Sequence, residues 1–307
     1  MKAIQYDWFV VVNPNANSGK AMKQWSEFSM GLERNKICYY AAITNHIDES
    51  NQKVKQAIEE GYRHFAVFGG DGTLHHFLNA IMQEDESKRK AITIGILPVG
   101  TGNDFLKSIK LSSNHDNAVQ RLKTGKSVAT DIGEVKYADG QKRYFLNMAG
   151  VGFDALVARD VNLSKAKGKG GLGIYLKYLL KHLFRYRSVN IHLKTTGFEK
   201  KDTYLSILCG NGGYAGGGME LVPGAQPQDG LLHITLIKKI NPWKVLLNIQ
   251  KLYTGNILKI RESSQVITKE IRLESNEQVP IQLDGEEAGF LPVEIKIKPL
   301  AIHILSD

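Results

Sequence analysis

Cysteine is nearly missing from this chain: two residues in 307, Cys38 and Cys209, neither with a CxxC partner. That excludes a disulfide framework and a cysteine-based zinc site. Both sit in apolar, strand-like surroundings and are expected as small buried side chains. Long apolar runs are missing too. The opening MKAIQYDWFVVVNP carries an apolar run of only five residues, 8 to 12, which argues against a signal peptide. No stretch approaches the ~20 apolar residues of a membrane-spanning helix. The expectation is a cytoplasmic protein, with peripheral membrane contact as the alternative. There is no low-complexity tract and no internal repeat. Acidic residues are the scarcer charged class, 31 against 40 Lys and Arg, so the formal charge is +9. Such an excess suits an anionic partner: a nucleotide, a nucleic acid or an acidic lipid surface. The segment 164 to 187, SKAKGKGGLGIYLKYLLKHLFRYR, holds seven Lys or Arg and no acid.

The first ~130 residues alternate between strand and helix patterns, as a parallel sheet with helices on its faces requires. WFVVV (8–12), CYYAAI (38–43), HFAVF (64–68) and ITIGIL (92–97) read as strands. Met22, Trp25, Phe28 and Leu32 recur at helical spacing, 48 to 61 reads as a helix ending at Gly61, and another helix starts near Leu74. Shorter helices follow Asn103 and span 117 to 122. After Asp131 short strands dominate, several with period-two alternation, and two helical segments interrupt them, 172 to 185 and 242 to 253. The expected organisation is an α/β domain over 1–131 and a β-rich sandwich or barrel over 132–296. The final strand, within 297–307, is a candidate to return to the first domain.

Three loops leave the carboxyl ends of the predicted parallel strands, where open α/β sheets bind ligands. They are NPNANSGK (13–20), GGDGT (69–73) and PVGTGND (98–104). Glycines there let backbone N–H groups approach a phosphate, and each following helix adds the positive end of its dipole. Gly69, Gly70, Gly72, Thr73, Thr101 and Asn103 fit that use. Asp71 does not fit a bare phosphate, which it would repel. A divalent cation between carboxylate and phosphate reverses the sign, and Asp104 and Asp131 could act beside it. Asp71 as a helix cap is the other reading, and the two are compatible. Neither a Walker A loop nor a dinucleotide fingerprint is present: NSGKA lacks the required spacing, and GKGGLG (168–173) follows no strand. No nucleic-acid-binding module is visible, and the basic segment lacks a stacking platform, so nucleic acid is not expected.

GGDGT, PVGTGND and the NP loop together resemble the diacylglycerol kinase and sphingosine kinase superfamily, with its bacterial lipid kinases most similar. NGGYAGGGMELVPGAQPQDGLL (211–232) and QLDGEE (282–287) extend the resemblance over nearly the whole chain. It implies a nucleotide-binding domain like that of NAD kinases and phosphofructokinases, a β-rich second domain, and transfer of a phosphoryl group from ATP to a lipid hydroxyl. It also implies ATP contacts at Asn13, Thr44, Gly69 to Thr73, Thr101 and Asn103. Asp71 would organise magnesium, with Asp104 and Asp131 in support. Glu286 would be the general base, with Asp284 assisting, and a structural magnesium would sit at Asp229 with the carbonyls of Gln226 and Leu231. On the residues alone, Asp284-Gly285 is a hairpin turn. The resemblance also leaves room for a homodimer.

The chain departs from the family pattern at Asn17, at His75 and His76, and at His233. Asn17 replaces a usual glycine but tolerates left-handed backbone. The histidine pair suits helix surface and packing better than metal binding, since adjacent helical residues diverge. The other readings are a soluble-substrate kinase sharing GGDGT and a nucleotide-binding regulator without catalysis. The segment 165–187 has two readings as well, a basic helix facing an anionic membrane or a solvated helix packed on its own domain. The lipid itself is left open among diacylglycerol, phosphatidylglycerol, a sphingoid base and a polyprenol-like alcohol.

Overall fold

The computed structural model describes residues 7–19, 21–100, 102–165 and 172–307. Thr101 and residues 166–171, which hold most of GKGGLG, lie outside them. Two compact units divide the chain: Met1–Thr130 with Leu300–Asp307, and Asp131–Pro299.

The first unit is a βα alternation: β1 (Trp8–Val12), α1 (Ala21–Arg34), β2 (Tyr39–Ile43), α2 (Ile47–Glu60), β3 (His64–Gly69), α3 (Asp71–Ile81), α4 (Glu86–Lys90), β4 (Thr93–Pro98), α5 (Asp104–Ser108) and α6 (His115–Thr124). Strands β2, β1, β3 and β4 lie side by side and parallel. Their two faces follow from alternation. Val10, Val12, Ala66 and Phe68 pack with Trp25, Phe28 and Leu32 of α1 and Val119 and Leu122 of α6. On the other face Phe9 meets Phe65, and Phe65 meets Phe77 of α3.

Local chemistry sets the element ends. Gly61 closes α2 at φ 103°, its N–H reaching back to Ala57 and Ile58. Helix α3 begins at Asp71, not near Leu74, because Gly70 stands at its N-cap position in extended conformation. Helix α1 starts at Ala21, which is buried, while Met22 is exposed: one turn before Trp25 the core side is position 21. Asn17 takes the left-handed φ of 50°. Cys38 is a correction, being exposed just before β2, the edge strand. Cys209 is buried, and burial pushes its thiol up to about 12.

The second unit contains β5 (Lys126–Tyr137, from Asp131), β6 (Lys142–Phe145), β7 (Met148–Gly152), α7 (Phe153–Lys165), α8 (Leu172–Leu183), β8 (Val189–Thr195) and β9 (Phe198–Gly210). After these come the small hairpin β10 (Tyr214–Ala215) and β11 (Met219–Glu220), then β12 (Leu232–Lys238), α9 (Pro242–Leu247) and α10 (Ile249–Tyr253). The chain ends through β13 (Ser263–Thr268), β14 (Glu270–Glu274), β15 (Pro280–Leu283), β16 (Glu286–Phe290) and β17 (Val293–Ser306). Pairing within this unit is antiparallel: β16–β15–β7–β9–β8–β14–β17, with β12 joining β9 to β13. Phe145, Val151, Leu193, Tyr204, Ile207, Ile234, Leu273 and Ile281 are among its core. The last residues of β17 belong to the first unit, where Ile304 pairs in parallel with Ile94 of β4. Among the described residues no helix is long and apolar enough to cross a membrane.

Candidate active site

In the first unit the chain leaves β1 outward to β2 and returns on the other side of β1 as β3. The strand order therefore reverses between β1 and β3, the place where open sheets leave a crevice at their carboxyl ends. The loops after these two strands are joined there. Asn13 Nδ2 donates to Thr73 Oγ1 at 2.9 Å, and the Asn13 N–H donates to the Phe68 carbonyl. Thr44, buried at the end of β2, donates its N–H to Val12. Gly69 ends β3, Gly70 precedes α3, and Gly72 and Thr73 lie in its first turn. Asn103 adopts φ 49° ahead of α5 and donates from Nδ2 to the Gly100 carbonyl at 3.2 Å.

Asp71 joins this loop to the next. Its Oδ2 accepts from the Asp104 N–H at 3.1 Å and its Oδ1 from the Phe105 N–H at 3.3 Å. The carboxylate thus lies at the N-terminus of α5, where the helix dipole favours negative charge. Asp104 is itself buried, with Lys107 Nζ at 3.5 Å from its Oδ1. Two hard carboxylates beside a glycine loop form a donor set that suits a magnesium–phosphate complex. Asp131 has other partners. It is fully buried, its Oδ2 accepts from the Gly230 N–H at 2.7 Å, and its N–H donates to Pro227.

That turn holds the residues expected around a structural magnesium, and they do not fit one. Asp229 Oδ2 faces His233 Nε2 at 3.0 Å, and Oδ1 accepts from the Leu231 N–H. The Gln226 carbonyl is shared by the N–H groups of Gln228 and Asp229. The imidazole stands at the carboxylate oxygen a cation would need. Among the described residues no group of three His, Cys, Asp or Glu side chains is arranged to hold a metal.

The LDGE segment is a two-residue hairpin with Asp284 at φ 51° and Gly285 at φ 89°, the type I′ geometry of such turns. Asp284 is held by three backbone N–H groups. Its Oδ2 accepts from the Leu146 N–H at 2.9 Å, and its Oδ1 from Asn147 at 2.8 Å and Met148 at 3.0 Å. The carboxylate ties the turn to the start of β7. Glu286 follows, half-buried at the head of β16. Asn162 of α7 donates to the Gly285 carbonyl at 2.7 Å and to Glu286 Oε2 at 3.3 Å.

Gln282 continues this network inward. Its Oε1 accepts from the Gly285 N–H at 2.6 Å, and its Nε2 donates to Asp154 Oδ2 at 2.7 Å. Burial pushes the Asp154 carboxyl up, against the opposing hydrogen bond from Gln282. Asp154 lies in the wall of a cavity of about 650 Å³, part of it open to solvent, lined mainly by apolar side chains such as Phe153, Leu179, Leu205 and Met219. Sequence reasoning missed Asp154, Asn162 and Gln282. Only the polar residue of the buried run Pro-Ile-Gln-Leu signalled any of them.

The basic segment divides in two. Tyr178 bonds Ser164 at 2.8 Å, and Lys181 and His182 both reach Asp160 Oδ2. These two bonds hold the Asp160 carboxyl below its usual range despite burial. That side of α8 packs within its own unit. His75 is also inward, buried with Asn79 beside its ring.

Residues 7–135 match the family model described as diacylglycerol kinase catalytic domain, and residues 147–306 match the YegS C-terminal NAD kinase beta sandwich-like domain. A Pseudomonas syringae pv. syringae protein named "Probable lipid kinase YegS-like" is 31% identical over 265 residues, 85% of this chain and 82% of that one. A Staphylococcus carnosus protein named "Diacylglycerol kinase" is 26% identical over 283 residues, 92% of this chain and 89% of that one. A crystal structure of a diacylglycerol kinase from Bacillus anthracis str. Sterne shares the fold, with a TM-score of 0.71 and 19% identity over 99% of this chain and 98% of that one.

Proposed function

The chain belongs to the diacylglycerol kinase family of lipid kinases, and on that premise we propose that it transfers the γ-phosphoryl group of ATP, taken as its magnesium complex, to a hydroxyl of a diacylglycerol-like lipid. The observation that carries this reading is the wiring of the second unit. One turn presents Glu286, and through Gln282 the same turn is joined to the single carboxyl group in the wall of an apolar cavity.

The first unit supplies the nucleotide side. Gly69, Gly70, Gly72 and Thr73 offer N–H and hydroxyl donors to phosphate oxygens, and Asn13 holds Thr73 in place. Asp71 and Asp104 would hold the magnesium, which would supply charge neutralisation at the transferring group. The acyl chains of the acceptor suit the apolar cavity, and Asp154 is the polar partner its wall offers to the lipid head.

Glu286 accepts the proton of the acceptor hydroxyl as that oxygen forms its bond to the γ-phosphorus. The bond from that phosphorus to the bridging oxygen breaks, and ADP leaves with the electron pair. Asn162 orients the carboxylate by donating from its amide nitrogen, which does not give up its proton.

The test is transfer of labelled γ-phosphate from ATP to a mixed lipid extract, with and without magnesium, followed by identification of the product. Glu286→Gln should abolish labelling while ATP still binds. Full turnover in that variant would sink the assignment of the base.

A further inference from the structure

Helices α9 and α10 have two apolar sides. One side lines the cavity through Val245 and Leu252. The other faces water: Leu247 is 86% exposed and Trp243 66%. Phe184, just past α8, extends this outer ridge, its ring edge-on to Trp243 with centroids 5.2 Å apart. Such an exposed apolar cluster on a monomer marks an interaction surface.

Charge says what covers it. Residues 238 to 259 include five lysines and no acid, and 172 to 187 carry Lys177, Lys181, Arg185 and Arg187, again with no acid. Some of these are used internally, Lys244 by Glu262 and Lys181 by Asp160. Among the described residues Lys177, Arg185, Lys251 and Lys259 have no carboxylate partner. Two copies of this face would bring like charges together. An anionic leaflet meets both needs, apolar depth for the ridge and negative charge for its rim, and tryptophan favours that boundary.

We propose that the Trp243–Leu247 ridge, with Phe184 beside it, docks the protein on an anionic lipid bilayer. The docking extends the lipid-acceptor reading above: the helices that rest on the bilayer also wall the cavity, so a lipid leaving the leaflet has a short apolar route into it.

Tryptophan fluorescence tests this directly. The chain has three tryptophans, and Trp8 and Trp25 are already buried, so an emission shift reports Trp243. Vesicles of equal parts phosphatidylcholine and phosphatidylglycerol should shift the emission to the blue and co-sediment the protein, and phosphatidylcholine alone should do neither. Leu247→Glu, at a fully solvated position, should weaken partitioning roughly tenfold or more with an unchanged far-ultraviolet spectrum. Equal binding to neutral vesicles, or no shift on anionic ones, overturns the proposal. A blue shift that grows with protein concentration in the absence of vesicles also overturns it, and assigns the ridge to a second copy. Because the readout is binding, Glu286→Gln should dock as the wild type does. A protein that docks yet transfers no phosphate would refute the reaction and leave the surface standing.

Discussion

Asp284 distinguishes a positioning carboxylate from a chemical one. Asp284→Ala removes three hydrogen bonds to backbone N–H groups of residues 146, 147 and 148. Hydrogen bonds to a charged group contribute about 1.5–3 kcal/mol each. The carboxylate is half-buried and the three share one acceptor group, so their contributions are less than additive and the set is worth roughly 3–4 kcal/mol. Alanine is also less at ease than aspartate at φ 51°, which adds about 1 kcal/mol. The expected cost is about 4–5 kcal/mol, a large part of a typical domain's stability. Asp284→Asn should cost less, about 2 kcal/mol, because its remaining oxygen can still serve Asn147 and Met148 while its amino group opposes the Leu146 N–H. Urea unfolding followed by circular dichroism measures both. Turnover per folded molecule in lipid phosphorylation should fall in parallel with stability, Ala below Asn. An Asn variant as stable as wild type but without turnover would refute the clamp and give Asp284 a chemical role. An Ala variant that loses under about 1 kcal/mol would refute the magnitude.

Two further outcomes follow from groups already described. A Cβ added at Gly69 would lie 2.5 Å from Thr73 Cβ, so Gly69→Ala must displace Thr73 from Asn13; ATP affinity measured by calorimetry should drop about tenfold or more, and unchanged affinity would remove Thr73 from the nucleotide site. Asp154→Asn separates charge from shape: because burial raises the folded-state pKa of Asp154, the folded protein holds that proton more tightly than the unfolded chain does, and wild-type stability falls as pH rises from the ordinary aspartate range through the raised value. The asparagine variant lacks this loss, so its melting temperature should gain on wild type over that window, and a pH-independent difference would show that burial does not raise Asp154.

The parts legible in the sequence are those with local causes. Five-residue apolar runs and the glycines after them located β1, β3 and β4 and their loops, and Gly61 marked the end of α2. Helix α7 escaped notice because Asp160 and Ser164 share its buried face with Val157 and Val161, which blurs the 3.6-residue apolar period. The apolar pattern of 266 to 275 continues as if through one strand, but the segment holds the end of β13 and the whole of β14, separated at Lys269. The helix expected over 242 to 253 divides at Asn248, which ends α9. The partners of Asp284 lie 136 to 138 residues away, and no spacing rule reaches that far. The imidazole at Asp229 is a side-chain placement that only the folded turn reveals.

The path from Asp154 through Gln282 to Gly285 has a consequence for protons. Gln282 donates at one end and accepts at the other, so its amide is held in one orientation by two fixed neighbours. An amide nitrogen does not take up and hand on a proton as an imidazole or water does. The path is therefore stiff but insulating. It can hold the turn and the cavity wall in register, yet a proton collected by Glu286 cannot drain along it to Asp154, and Asp154 cannot resupply Glu286 by the same path. Each turnover must instead end with Glu286 releasing its proton to water or to the phosphorylated product.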